Sequence, residues 1–122
     1  MLCQVLGNHA ATSLAVLVGS RCQGTPRPDS DWDIAVLLNY SLDAMAQFEE
    51  FETLRNRLAK ALHTATDKID LIDLRHAGLA MREQVANHGV LLKGENTLLW
   101  SHFLTRTWRE LEEFYWERKR GA

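Results

Sequence analysis

The sequence of 122 residues contains only two prolines and two cysteines, and it has no long apolar run. Because a transmembrane helix needs roughly 18 uninterrupted apolar residues, no membrane span is expected. Cys3 and Cys22 show no metal-binding or redox spacing, and two cysteines do not suggest a disulfide framework. The N-terminal segment also lacks the basic residues of a secretory signal. These absences together favour a reduced, cytoplasmic protein.

An excess of positive charge is also lacking. Fourteen Lys and Arg residues stand against sixteen Asp and Glu residues, for a formal net charge of -2. Nonspecific attraction to nucleic acid or to an acidic membrane is therefore not expected. The content of 46% hydrophobic and 25% charged residues is that of an ordinary globular protein, and the length fits one domain.

Short apolar runs alternate with helical periodicities along the chain. Strands are predicted at residues 13–19, 31–38, 68–74 and 89–94, and helices at residues 2–11, 41–63, 77–88 and 97–118. Ser41 is the predicted N-cap of the second helix. The apolar stripe of that helix is predicted to contain Leu42, Met45, Phe48, Phe51 or Glu52, Arg55, Leu58 and Leu62. The stripe of the last helix is predicted to contain Trp100, Leu104, Trp108, Leu111 and Tyr115. This alternation predicts an α/β (α+β) fold with a small mixed sheet flanked by helices.

The segment from residue 19 to residue 33, GSRCQGTPRPDSDWD, separates the first two predicted strands. Its two prolines exclude a long helix, so a single helical turn after Gly19 followed by a loop is expected. The second strand alternates, with Trp32, Ile34, Val36 and Leu38 on one face and Asp31, Asp33, Ala35 and Leu37 on the other. Both carboxylates are therefore predicted to point the same way.

Two carboxylates on one strand face repel each other unless a cation or a shared proton compensates. Mg²⁺ prefers carboxylate and phosphate oxygens, and a second ion about 4 Å away would stabilise both the attacking and the leaving oxygen at phosphorus. Gly19 allows a phosphate to approach the backbone, and the Ser20 hydroxyl can donate a hydrogen bond to it. The segment therefore predicts nucleotide chemistry.

Gly19-Ser20, ten residues and then Asp31-x-Asp33 resemble the GSx10DxD signature of the DNA polymerase β-type nucleotidyltransferase superfamily. In its small size the chain resembles the minimal (MNT) branch of that superfamily, in particular MntA-like antitoxins paired with HEPN-domain toxins. The resemblance covers roughly residues 13–95. It implies a minimal nucleotidyltransferase domain over residues 1–96, with a C-terminal helix at 97–122 that packs on this domain or on a partner.

The resemblance implies that Asp31 and Asp33 bind two Mg²⁺ ions and that a third acid completes a catalytic triad. Asp70 and Asp73 both compete for that place, because strand alternation does not choose between them, and the resemblance favours Asp70.

The resemblance also implies that Gly19, Ser20, Arg21 and Ser30 bind the nucleotide. Many relatives carry Ala-Arg-Gly where this chain has Cys22-Gln23-Gly24. Arg21 or Arg27 is a candidate to replace the missing arginine.

The function implied by the resemblance is an antitoxin that transfers AMP from ATP to a tyrosine of a HEPN ribonuclease and so inactivates it. The implied partner is the HEPN toxin, in a hetero-oligomer. Two alternatives are neutralisation by binding alone and modification of a small molecule, as in antibiotic adenylyltransferases. Proteins of the latter kind usually carry a further substrate-binding domain, whereas only one helix is predicted after Gly94.

Overall fold

A computed structural model describes residues 2–22 and 30–119 of the chain. Four helices are formed in this part of the chain: α1 (Leu2–Asn8), α2 (Ala44–Ala61), α3 (Leu79–His88) and α4 (Leu98–Lys119). Four strands are formed: β1 (Thr12–Val18), β2 (Trp32–Leu38), β3 (Ile69–Asp73) and β4 (Val90–Lys93). None of the described helices is long and apolar enough to cross a membrane.

The four strands form one mixed sheet in the order β3-β2-β1-β4. β1 pairs antiparallel with both β2 and β4, whereas β2 and β3 are parallel. Parallel neighbours need a crossover connection, and α2 supplies it between β2 and β3. The predicted small mixed sheet flanked by helices is confirmed.

Helices cover both faces of the sheet. On one face, Leu6 of α1 and Leu54 and Leu58 of α2 pack with Ile34 and Val36. The other face carries a second cluster, to which α3 and α4 contribute; its described members are Leu14, Val16, Val18, Ala35, Leu37, Leu74 and Val85, with Met81, Trp100 and Phe103 packed against them. The predicted alternation of β2 is confirmed, because odd-numbered and even-numbered residues enter different clusters.

The start of α2 differs from the prediction. Ser41 does not cap the helix, because its backbone N–H donates to Asn39 Oδ1 (3.0 Å) in a turn that precedes it. The N-cap is Asp43, whose carboxylate accepts from the backbone N–H of Ala46 at 2.8 Å. An aspartate is as good a cap as a serine, and the turn at Asn39 decides between them.

The predicted apolar stripe of α2 is also wrong in part. Met45 and Phe48 are 68% and 63% exposed, whereas Leu54 is fully buried beside Leu58. Apolar residues occur on more than one side of this helix, so the three-four spacing fits two stripes. Packing against the sheet selects the stripe that contains Leu54.

The contact face of α4 is likewise rotated from the prediction. Trp108 and Tyr115 are 49% and 53% exposed, whereas Thr107, which was not predicted to face the core, is buried. Leu111 is buried, as predicted. Trp100, as predicted, packs against the core. The two buried residues belong to the first fourteen positions of α4, and the residues that follow Leu111 are exposed. The helix therefore packs on the domain only through its N-terminal part.

Replacing Leu54 with Ala is expected to lower the free energy of unfolding by about 2–5 kcal/mol, because it removes buried methyl groups and leaves a cavity. Met45→Ala on the same helix is the matched control, with an expected change of less than about 0.5 kcal/mol. Urea denaturation of both variants measures the difference. Equal losses would contradict the assignment of the buried face.

Candidate functional site

The antiparallel pairing of β1 with β2 places Gly19 beside Asp33. The last pair in the register joins Val18 to Asp33, so the residue after β1 lies next to the start of β2. Gly19 has a φ of 77°, and a Cβ at this position would overlap the Asp33 carboxylate. Glycine is therefore required here both for the backbone conformation and for the space that the carboxylate occupies.

The parallel pairing of β2 with β3 brings a second carboxyl group to the same place. Asp33 is the register partner of Asp70, and their side chains share a hydrogen bond. Both residues line a cavity of about 300 Å³ together with Val18 and Gly19. Three of the predicted site residues, Gly19, Asp33 and Asp70, thus meet in one cavity.

The electrostatics of this cavity are dominated by like charge. The pKa of Asp33 is raised above its ordinary value, first by burial and then by the negative charges of Asp70 and Asp31. Asp31 lies just before β2 and is exposed, but its charge still acts on Asp33. All three predicted acids therefore contribute to one negative field.

Asp73, the competing third acid, lies elsewhere. Its register partner is Val36, which belongs to the opposite face of the sheet from Asp33. Its carboxylate accepts from the backbone N–H of Arg75 (3.0 Å) and lies 2.7 Å from the ring of His76. Asp73 holds the turn after β3, and Asp70 is the acid that the structure brings to Asp33.

Of the predicted nucleotide-binding residues, Gly19 lines this cavity, whereas Ser20, Arg21 and Ser30 lie in the neighbouring segment between β1 and β2. Ser20 is half-buried in a turn that closes with a hydrogen bond from Cys22 N–H to the Gly19 carbonyl (3.1 Å). The Arg21 guanidinium donates to the Ser30 carbonyl at 2.9 Å and lies 4.2 Å from the centre of the Trp32 ring. These contacts join the two ends of the segment between β1 and β2. Gln23, Gly24 and Arg27 lie outside the described residues.

Two residues of α3 line the cavity and were not singled out in the sequence. Met81 and Gln84 face it together with Ile72 of β3. Their one sequence signal was the three-residue spacing on a predicted helix, which is too common to mark a site. They form the wall opposite the glycine turn and offer an apolar surface and one amide group.

The residues present fit a divalent cation. Mg²⁺ is usually held by one or two protein carboxylates together with substrate phosphates, and Asp33 and Asp70 supply two. No three His, Cys, Asp or Glu side chains among residues 2–22 and 30–119 form a metal-binding group by themselves. The two acids therefore make a partial ligand set that a phosphate-bearing substrate would complete.

A mixed sheet that holds paired carboxylates beside a glycine turn is the arrangement of a nucleotidyltransferase. The chain belongs to the family described as polymerase beta, nucleotidyltransferase, whose match covers residues 2–98.

One protein that is similar to this chain has an assigned activity. The chain is 42% identical over 87 residues to protein adenylyltransferase MntA of Shewanella oneidensis, an alignment that covers 71% of this chain and 58% of that protein. The chain thus spans less than two thirds of this relative's length.

Two solved structures match 96% of the chain. One is a crystal structure of a toxin-antitoxin with AMP-PNP, with 33% identity, a TM-score of 0.71 and 89% of the matched chain covered. The other is a tri-AMPylated Shewanella oneidensis HEPN toxin in complex with an MNT antitoxin, with 30% identity, a TM-score of 0.64 and 86% covered.

The raised pKa of Asp33 leads to a pH-dependent stability. The folded chain holds this proton more tightly than the unfolded chain does, so ionisation of Asp33 disfavours folding. In EDTA, the free energy of unfolding is expected to fall as pH rises from the ordinary Asp pKa through the raised one. Asp33→Asn, which cannot ionise, should lose this fall and be more stable than the wild type near neutral pH.

Thermal unfolding between about pH 4 and about pH 8 measures the effect. Asp67→Asn, at an exposed acid outside the cavity, is the control and should keep the wild-type slope. An Asp33→Asn profile that is parallel to the wild type would show that the carboxylate crowding has no energetic consequence.

Proposed function

We propose that this chain is a Mg²⁺-dependent protein adenylyltransferase that transfers AMP from ATP to a tyrosine of a HEPN ribonuclease toxin and so acts as its antitoxin. The single observation that carries the proposal is the meeting of Asp33 and Asp70 at the Gly19 turn, with the pKa of Asp33 raised. The similarity to MntA and to toxin-antitoxin complexes supports the choice of donor and acceptor.

In the proposed site, Asp33 and Asp70, with Asp31 beside them, would hold Mg²⁺. The proposed mechanism uses two ions. When bound, they would neutralise the negative charge of the triphosphate and orient the α-phosphate. The turn at Gly19 would let a phosphate approach the backbone, because Gly19 carries no side chain and the Asp33 carboxylate packs directly against it. Ser20, Arg21 and Ser30 follow around this turn and are the proposed contacts to the nucleotide.

The proposed reaction is an in-line displacement at the α-phosphorus. The tyrosine oxygen forms a new bond to phosphorus, and the bond from phosphorus to the oxygen that bridges to the β-phosphate breaks, which releases pyrophosphate. Asp70, a carboxylate that lines the cavity, is the proposed acceptor of the phenolic proton. The products are an O-AMP-tyrosine on the toxin and pyrophosphate.

Incubation with α-labelled ATP, Mg²⁺ and the co-expressed HEPN partner tests this function. Label is expected on the partner, and Asp33→Asn or Asp70→Asn should reduce the labelling rate about 100-fold or more. Asp73→Asn is the matched control, because it makes the same chemical change on β3 at a residue outside the cavity. It should retain most of the activity.

Neutralisation by binding alone gives a different result in this assay. The enzymatic function is ruled out if the toxin stays unlabelled and the Asp33→Asn variant suppresses its ribonuclease activity as well as the wild type does. Labelling of a small molecule instead of the partner would point to the antibiotic-type alternative.

The proposed partner surface is the C-terminal part of α4. Phe114, Tyr115 and Trp116 are 44%, 53% and 60% exposed, at successive positions around the helix. Aromatic residues are frequent anchors of protein interfaces, and a run of three is unusual on a free surface. The similar chains that were solved as toxin-antitoxin structures cover nearly this whole chain, so we assign the surface to the HEPN toxin.

Tyr115→Ser is expected to weaken the complex with the HEPN partner by at least about tenfold, because truncation of an aromatic anchor costs more than about 1 kcal/mol. The melting temperature of the isolated chain should stay unchanged, since the side chain is half exposed. Met45→Ser, on the opposite helical layer, is the control and should bind as the wild type does. Calorimetric titration of the partner measures both, and equal affinities of wild type and Tyr115→Ser would contradict the assignment.

A further inference from the structure

A second cavity lies at the other end of β2 from the acidic pair. It has a volume of about 240 Å³, and Leu37 forms part of its wall. Leu37 is four residues after Asp33 on the same strand and the same face, which corresponds to a separation of about 13 Å. Arg82 of α3 lines this cavity, whereas Met81 and Gln84 line the acidic one. The two cavities are therefore separate.

The lining of this second cavity is basic. Arg75, Arg82 and Arg106 contribute three guanidinium groups, His102 lies beside them, and no carboxylate lines the cavity. Glu110, outside the lining, accepts from Arg82 and lies 3.7 Å from Arg106 Nε. The hydrogen bond from Arg82 lowers the pKa of Glu110, so this carboxylate is ionised. Glu110 offsets one of the three arginine charges, which leaves two formal positive charges on the lining; Asp73, which accepts from the backbone N–H of Arg75, is not part of the lining.

Arg75 has an unused donor in this region. One of its terminal nitrogens donates to the Asn39 carbonyl at 3.0 Å, and the guanidinium lies 4.6 Å from the centre of the Tyr40 ring. These contacts hold the side chain in place. Its Nε is buried and has no hydrogen-bond partner among the described residues. A buried donor without an acceptor is unfavourable, so Arg75 would gain from a small side-chain movement that brings an anionic oxygen of the ligand to Nε.

The charge and the size of the cavity define the ligand. A phosphate monoester carries a charge near −2 at neutral pH, which matches the two uncompensated positive charges, and guanidinium groups bind phosphate through paired hydrogen bonds. Tyr40, Phe103 and the leucines provide an apolar wall for a small organic body. The volume is below the roughly 300–1,000 Å³ of drug-sized pockets, which excludes a large ligand.

We propose that this basic cavity is a second, non-catalytic binding site for a small organic phosphate monoester. The site goes beyond the proposed adenylyl transfer, since it shares no residue with the acidic cavity. Its occupant would contact α3 and α4 together, the two helices that Arg82 and Glu110 already join.

Calorimetric titration of the full chain with ribose 5-phosphate, in EDTA and without ATP or partner protein, tests the proposal. Saturable binding is expected, and Arg75→Gln should weaken it at least about tenfold, the equivalent of one charged hydrogen bond. Arg106→Gln is a second variant at a side chain that is 63% exposed, so its folding is not at risk. It should weaken binding as well, whereas Arg57→Gln, a matched exposed arginine outside the cavity, should not.

Three comparison ligands identify what is recognised. Ribose tests the need for the phosphate, inorganic phosphate tests the need for the organic body, and malonate tests a carboxylate dianion. Weaker binding of all three is expected. The proposal is overturned if ribose 5-phosphate does not bind saturably, or if ribose, inorganic phosphate or malonate binds as tightly as ribose 5-phosphate does. It is also overturned if Asp33→Asn changes the affinity while Arg75→Gln and Arg106→Gln do not. Because no ATP, Mg²⁺ or toxin is present, these outcomes are independent of whether adenylyl transfer occurs.

Discussion

The parallel pairing of β2 with β3 sets Asp33 opposite Asp70, and this close approach of two carboxyl groups is the constraint on which the site depends. Burial raises the pKa of Asp33, and the negative charges of Asp70 and Asp31 and a hydrogen bond with Asp70 raise it further. The same crowding makes the pair a strong attractor for a hard cation. The crowding that is unfavourable for the fold alone would thus favour a metal ion in the proposed site.

The sheet keeps this arrangement in place from both sides. Asp33 belongs to a strand whose following residues are buried in alternate clusters, so a register shift of one residue would turn the carboxylate into the opposite core. On the neighbouring strand, Gly19 leaves the space that the carboxylate fills. The site therefore depends on three strands at once, and its geometry is as rigid as the central sheet.

The helix α4 has two parts with different surroundings. Its N-terminal part packs on the sheet and is joined to α3 through Arg82 and Glu110. Its C-terminal part carries successive aromatic residues that are about half exposed. Because α4 packs on the domain at one end and is exposed at the other, it can hold a partner at a constant distance from the acidic cavity. This arrangement would suit an enzyme whose acceptor is a protein.

The sequence by itself determined the strands of the central sheet, the turn at Gly19 and the two faces of β2, because strand alternation and glycine have local physical causes. Asp31 lies before β2, so the common face of Asp31 and Asp33 stays a prediction. The sequence left Asp70 and Asp73 as alternatives, since each shares its strand face with apolar residues. Only the pairing of β3 with β2 decided for Asp70, because register is a relation between distant segments. The buried faces of α2 and α4 were decided in the same way: their apolar residues fit more than one stripe, and contact with the sheet selects among them.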